Sequence, residues 1–510
     1  MNFFAFCEER LNRLSEARFY LVLLSIAAAL VAMVMTFFAL DLHRNFLTIA
    51  CDTAAFQNTI VNTLDGRWYR DTAYDGPNYL GLHNIFALIL IAPIYALYPS
   101  PDLLFLLQVW GVYSTVIPLY LLGVEILRKP ITAFFIAATA LASPLFLHMA
   151  LAPFHPESWI LAAVLWSFFF YRRNQWVGFW VSLCFGLSCG EQAALIYAAL
   201  GLAWLLCEDG MAWRKKYAMF TLVAGFAWLI LSVGVIIPLM HHPAQIKMVA
   251  NHYSNWGVES VPGLAGAAIH DPLRALGLLL APSRWLQLLS LVGLPLFLAF
   301  FSPRALILLV PLPMYFMMTD QEFFLYFHAY YYQFAFLAGY LGLIFVLSRR
   351  EKLNRLGVSL LGATTLLNIL LLFSASILYL NLDMGRDPAF SGALHQAFSA
   401  IPREAAVYSP HRYSAYLSNH ENMVMGDLRQ ENLDFNAMIE AKFATTTVHS
   451  KDIDYIVCDV QNDQCGWRQG GYNPDTVKLR TANINRLLQS GQWRVQWSQD
   501  GVVILQRTGQ

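Results

Sequence analysis

For most of its length the chain alternates long apolar stretches with short polar breaks. Runs long enough to cross a hydrocarbon core of roughly 30 Å fall at 19–40, 103–127, 131–152, 217–240, 285–302, 329–348 and 355–380. Shorter ones fall at 158–171, 176–189, 192–207 and 304–318. The run HNIFALILIAPIYALY at 83–98 is short, contains Pro93 and is bounded by YPSPD, which suits an interfacial or re-entrant helix better than a span. After Asp52, the residues Phe56, Ile60, Val61 and Leu64 recur at helical spacing and predict an amphipathic helix. From about 381 the pattern becomes that of a soluble domain. AAVYSP, DYIVCDV, WRVQWS and GVVILQR read as strands, and TANINRLLQSG reads as a helix ended by glycine.

These elements predict a mostly α, polytopic membrane protein with about eleven transmembrane helices and a small C-terminal α/β soluble domain. The transmembrane domain takes residues 1–380, with interfacial helices in a first outer loop at 41–102, and the soluble domain takes 385–510.

Composition supports the class. Hydrophobic residues make up 57% and charged residues only 13%, against about 25% charged in soluble domains. Lys+Arg and Asp+Glu both total 33, so net charge offers nothing to nucleic acid. The location of the basic residues is more informative. With 83–98 not spanning, clusters at Arg10/Arg13/Arg18, Arg128/Lys129, Arg172/Arg173, Arg214/Lys215/Lys216, Arg304 and Arg349/Arg350/Lys352/Arg355 fall on one side. The longer loops opposite hold only Arg44, Arg67, Arg70, Lys247, Arg274 and Arg284 before the soluble domain. The positive-inside rule then predicts a cytoplasmic N-terminus and a C-terminal domain on the outer side. MNFFAFCEERLNRLSEAR reads as a cytoplasmic lead-in, because a full-length apolar span follows it with no small-residue cleavage site. Cys458 and Cys465 are close enough in sequence to form a disulfide in an oxidising compartment, or to stay as two thiols.

Under this topology Asp52, His83, His155, Glu157, Glu191, Gln192, His241, His242, Asp320, Glu322 and His328 all fall near the outer ends of spans. Ionisable groups at such depth mark functional sites by default. Each also has a plainer role open to it. Asp52 can cap its helix; His83 and His155 can bond backbone carbonyls; Glu157 and Glu191 can sit at helix N-termini. His241 and His242 read as loop surface, Asp320 and Glu322 as solvated loop charges, and Glu125 as a partner of Arg128 or a snorkelling residue. HExxH and Walker motifs are absent, so zinc proteolysis and ATP-driven work lack sequence support. A cavity of carboxylates and histidines suits sugar transfer from a lipid phosphate. One carboxylate takes the acceptor proton, and Arg, Lys, His or a metal stabilises the departing phosphate.

The order of these features resembles the GT-C superfamily of membrane glycosyltransferases, which has an acid at the start of a first outer loop with interfacial helices. More closely, CDTAAFQNTIVNTLDGRWY, NYLGLHNIF, FHPESW, GEQAALIYAALGL, IPREAAVYSPHRYSAYLS and DYIVCDV are similar to segments of a bacterial family of predicted multi-pass membrane proteins. The resemblance implies a bacterial inner (cytoplasmic) membrane location with the C-terminal domain periplasmic or extracellular, a polyprenyl-phosphate-linked sugar donor, and a lipid, glycan or protein acceptor; a single base acting in one displacement would give inversion at the sugar. Asp52 takes the place of the catalytic or metal-binding carboxylate, with Glu191 or Glu157 as a second contact. His83, His155, Gln57, Gln192 and His328 become contacts to sugar or phosphate, and Arg67, Arg70, Lys247 or Arg284 the phosphate clamp. A divalent cation, Mg or Mn, would sit on Asp52 and Glu191. The family places a second acid where this chain has Gln57, and Lys-Glu-Asp where it has Gly190, Glu191 and Gln192, which favours metal-independent base chemistry by Asp52. The rival readings are a transporter or lipid flippase using the same groups, and a non-catalytic envelope scaffold.

Overall fold

The computed structural model describes residues 3–48, 51–74, 76–207, 212–242, 249–250, 252–293, 295–317, 329–349, 359, 362–366, 370, 387–426, 428, 434–442, 452–461 and 474–509. Most of these are helical. The N-terminal helix α1 (Phe3–Arg44) buries Leu24, Ala28, Ala32, Met35, Ala39 and Leu42 and exposes Phe19, Val22, Ile26, Leu30, Met33 and Phe37. An outward face as apolar as the inward one is stable only against lipid.

After α2 (Cys51–Leu64) come α3 (Ala87–Leu97), α4 (Pro101–Ser114), α5 (Val116–Leu127), α6 (Pro130–Leu141), α7 (Pro144–Leu151), α8 (Ile160–Arg172), α9 (Trp176–Ser188), α10 (Gln192–Cys207) and α11 (Ala212–Leu231), which runs through a π-helical segment into α12 (Ile237–Met240). Further helices include Pro272–Leu280, Pro282–Val292 and Gln333–Arg349. By length and composition, four described helices can cross a membrane: Leu14–Arg44, Pro101–Leu127, Trp213–Met240 and Tyr330–Arg349. The count rises to six if each of two bent pairs is one span, Pro130–Leu141 with Pro144–Leu151 (45°) and Pro272–Leu280 with Pro282–Val292 (44°). At 11 residues, α3 is too short to cross.

The ends of the helices are locally encoded. Ser100 caps α4 and Pro101 occupies its first turn, while Asp102 holds Arg44 at the end of α1 at 2.6 Å. Glu125 pairs with Arg173 at 2.8 Å rather than with Arg128, which takes a left-handed turn at the end of α5.

The C-terminal domain carries a mixed five-stranded sheet in the order β2-β1-β3-β5-β4. Its strands are β1 (Val407–Ser409), β2 (Met423–Met425), β3 (Tyr455–Asp459), β4 (Trp493–Gln499) and β5 (Val502–Arg507). The first three are parallel, and β5 joins β3 and β4 antiparallel. The helix Pro474–Gln489 falls where the glycine-terminated pattern predicted it. Cys458 is buried on β3, and Cys465 lies outside the described residues.

This domain packs on the Arg44 end of α1. Phe46 sits among the rings of His395, Phe398, Tyr413 and Tyr416, and its carbonyl accepts from Arg412 at 2.9 Å. Helix α2 is consequently buried over most of its surface, and its polar stripe meets protein rather than water: Gln57 donates to Asn419 and Asn58 to the carbonyl of His420, both at 3.1 Å.

Candidate active site

Five of the expected residues gather near the N-terminal end of α2, all of them from connecting segments or first helical turns. Asp52 lies inside the first turn of α2. Tyr74 Oη donates to its Oδ1 at 2.6 Å, and His155 Nε2 is 3.5 Å from its Oδ2. His155 comes from the loop after α7. Its backbone N–H donates to Gln108 Oε1 at 2.9 Å, and its ring stacks on Tyr330 with centroids 4.1 Å apart.

The tautomer of His155 follows from its neighbour. Nδ1 is 2.9 Å from the carbonyl oxygen of Pro153, which can only accept, so Nδ1 carries the hydrogen. Burial lowers the affinity of this ring for a second proton, against the opposing pull of Asp52. In the neutral ring Nε2 is therefore a lone pair. Two acceptors, Nε2 and Oδ2, face each other across a gap that suits one shared proton.

His83 and Glu191 form a second pair, 2.8 Å apart between Nδ1 and Oε1. The other carboxylate oxygen, Oε2, accepts from the backbone N–H of Asn84 at 3.0 Å. Burial disfavours charge on His83, but the adjoining carboxylate raises its pKa to about 9. Burial likewise opposes charge on Glu191, and the imidazolium and two backbone donors hold it below the usual carboxylate range. At neutral pH this is a closed ion pair.

Glu157 lies in a 3₁₀ turn, Pro156–Trp159, that leads into α8, where it feels the charges of His83, Glu191 and Asp52. Its carbonyl accepts from Gln333 at 2.6 Å, while its Oε2 is buried with no partner among the described residues. Burial pushes its pKa up to about 8, only partly countered by His83, so the group is a neutral acid at pH 7. Gln192 receives a weak bond from Tyr315 at 3.4 Å.

The other expected contacts lie elsewhere. Gln57 is held by Asn419, and Arg67 and Arg70 pair with Glu421 at 3.3 and 3.0 Å, on the surface where the C-terminal domain meets α2. Arg284 is buried, and its charge is felt by Tyr332, in the same turn as the Tyr330 that stacks on His155. Lys247, His328, Asp320 and Glu322 lie outside the described residues. Among the described residues no group of three or more His, Cys, Asp or Glu side chains converges on a metal position.

Two residues escaped the sequence reading. Tyr74 was hidden in a loop. His242, read as loop surface, is buried, its Nε2 3.3 Å from Asp71 Oδ2 with both side chains fully enclosed. The signal available was local: an aspartate followed by closely spaced glycines, Gly76 and Gly81, needs something to enclose. An apolar cavity of about 730 Å³ opens beside this end of the bundle, lined by Leu90 and Ile94 of α3, Trp110 of α4, Trp159, and Phe185 of α9. Trp159 is two residues from Glu157.

Among solved structures, the chain is similar to the crystal structure of ArnT from Cupriavidus metallidurans bound to undecaprenyl phosphate. The two are 13% identical with a TM-score of 0.50, over 94% of this chain and 97% of that one. Identity this low establishes the fold alone, which is GT-C-like. No curated protein matches in sequence. A family model does match, from residue 42 to residue 504. That span leaves out only the ends of the chain, which therefore belongs to the family described as "Predicted membrane protein (DUF2079)".

Proposed function

We infer that the protein is a membrane glycosyltransferase that moves a sugar from a polyprenyl-phosphate-linked donor to a cell-envelope acceptor on the outer face, with Asp52 as general base. The observation that carries this reading is the pair Asp52 Oδ2 and His155 Nε2, two acceptors 3.5 Å apart. A hydroxyl that approaches from the side, within hydrogen-bond reach of both, gives its proton to Asp52 as its oxygen attacks the anomeric carbon. The bond from that carbon to the phosphate oxygen breaks, and the electron pair leaves with the polyprenyl phosphate. One displacement of this kind inverts the sugar. Tyr74 keeps the carboxylate aimed by donating to its other oxygen.

The remaining groups suit the donor. Arg284 supplies positive charge for the departing phosphate, and His83, its charge balanced by Glu191, can donate from its remaining ring N–H. Glu157, as a neutral acid, can donate to a sugar oxygen. The cavity beside α3 offers the polyprenyl chain lateral access from the bilayer, and the ArnT likeness supports a lipid of that class. The N-terminus would be cytoplasmic and the C-terminal domain periplasmic, which puts the site where envelope acceptors are found.

The test is mass spectrometry of envelope glycans and polyprenyl-linked sugars in the native host, a deletion strain, and the deletion rescued with Asp52→Asn at equal membrane abundance. The expected result is loss of one modification in the deletion and a fall of about 10²–10⁴-fold in the Asn rescue. Full restoration by the Asn variant would refute Asp52 as the base.

A further inference from the structure

The segment that carries Tyr74 is fastened more heavily than a loop needs. Asp71 Oδ1 accepts from the backbone N–H groups of Ala73 and Tyr74 at 3.0 and 3.2 Å, closing a tight turn. Asp71 Oδ2 meets His242 Nε2 at 3.3 Å, and the Asp71 carbonyl accepts from Gly76 at 3.0 Å. On the other flank, Thr72 Oγ1 donates to the carbonyl of Met423 in β2 at 2.8 Å, and its N–H donates to Asn58 Oδ1 of α2 at 3.0 Å.

His242 reaches this turn from a distant helix. Residue His241 ends α12 in the left-handed region, at φ 43°, and so turns the chain inward. The ring then lies where two glycines make room: a Cβ on Gly76 would come 1.9 Å from His242 Nε2, and one on Gly81 2.8 Å from the His242 backbone nitrogen. A buried carboxylate joined to a buried imidazole is costly unless the contact fixes something. What it fixes is the backbone two and three residues on, which ends at the tyrosine that holds Asp52.

The geometry points to Asp71 and His242 as positioning residues for Asp52, acting through Tyr74. The assignment rests on the reading of Asp52 as the base. Neither residue touches the reacting atoms. The pair locks the 71–74 turn between α12, α2 and β2 so that the Tyr74 hydroxyl remains 2.6 Å from the carboxylate. Other titratable groups whose charge is coupled to Asp52 are His83, His155, Glu157, Tyr79, Tyr330 and Tyr331. A spectroscopic report from Tyr74 itself separates positioning from their influence.

The experiment uses the full-length protein in lipid nanodiscs, with 3-fluorotyrosine at position 74 alone and ¹⁹F NMR as the readout. Asp52→Asn calibrates the shift caused by changing the acceptor. His242→Phe keeps the ring volume, and Asp71→Ala removes the turn acceptor. The expected result is that both move the Tyr74 resonance away from its native position. In the deletion strain, His242→Phe should lower the envelope product about tenfold to a hundredfold, as a small misplacement of a reacting group does. His242→Phe combined with Tyr74→Phe should be no lower than Tyr74→Phe alone. If Asp71→Ala does not fold, His242→Phe decides. A folded His242→Phe protein with an unmoved resonance overturns the assignment, as does a moved resonance with undiminished product. If Asp52→Asn restores the product, the functional reading fails instead, and the ¹⁹F result still reports whether the pair holds Tyr74.

Discussion

The two histidine–carboxylate pairs of the site contain the same chemical groups and are built for opposite purposes. In His83–Glu191 the ring donates, both carboxylate oxygens are filled, and the charges cancel at 2.8 Å. In His155–Asp52 the ring's hydrogen is directed away, onto the Pro153 carbonyl, and the facing nitrogen and oxygen are both acceptors at 3.5 Å. The difference comes from a single backbone contact. With a carbonyl against Nδ1, the neutral ring must present a lone pair to its carboxylate. Without one, the ring is free to hand its proton to the acid. A closed pair contributes structure, and an open pair leaves room for a substrate proton.

The largest effect should come from the open pair. His155→Phe preserves the stack on Tyr330 and removes Nε2, so the product in the rescued deletion strain should fall about 10²-fold while the melting temperature in detergent stays within a degree or two of native. An unchanged yield would mean that Asp52 takes the proton alone and that the facing nitrogen is incidental.

The closed pair should respond in the reverse sense. Glu191→Gln removes the partner that holds the buried His83 ring charged and should cost about 2–3 kcal/mol of stability, less than the ~3–5 of a fully enclosed pair because both side chains are partly solvent-accessible. Adding His83→Gln should recover most of it. The pH dependence carries the same signature. His83 has a folded pKa near 9, above its ordinary 6.5, so its contribution is complete below about 6.5 and is lost as pH rises through 9. Glu191 is depressed, so its share is present above the ordinary carboxylate value and disappears in acid. Thermal stability of the native protein should therefore decline between about pH 6.5 and pH 9 and level off above, and the double variant should lose that step.

How legible this was in the sequence depends on the scale. Apolar runs gave the helices their places because period and length are local properties. Even so, the run 131–152 divides at Ser143–Pro144 into bent halves, and 304–318 holds two five-residue helices, Pro303–Ile307 and Leu312–Phe316. Strands β1, β3, β4 and β5 could be read because each alternates or runs apolar. Strand β2, three residues among polar neighbours, could not. The site residues were found through a shared depth, a property of topology. Their pairing was not, since His83 and Glu191 are brought together from 108 residues apart by packing alone. The polar stripe of α2 was legible as amphipathicity, but its partner is the C-terminal domain, which no periodicity within α2 can reveal.

A further effect belongs to Glu157, the carboxyl that feels the charges of both pairs and joins neither. Its folded pKa of about 8 lies above the ordinary 4.5, so between those values the folded protein keeps a proton that the unfolded chain gives up. Stability attributable to this group therefore falls as pH rises from about 4.5 and levels off above about 8. Glu157→Gln mimics the neutral acid and cannot titrate. Relative to native protein it should gain stability on going from pH 5 to pH 8, read as the difference in melting temperature between the two. The same measurement tests the comparison. Glu191→Gln removes the carboxylate that keeps the buried His83 ring charged, so the cation that favours the Glu157 carboxylate is lost with it. In the Glu191→Gln background the gain from Glu157→Gln should therefore grow. A gain that stays the same would mean that the pair does not control the charge Glu157 experiences, and that burial alone keeps it neutral.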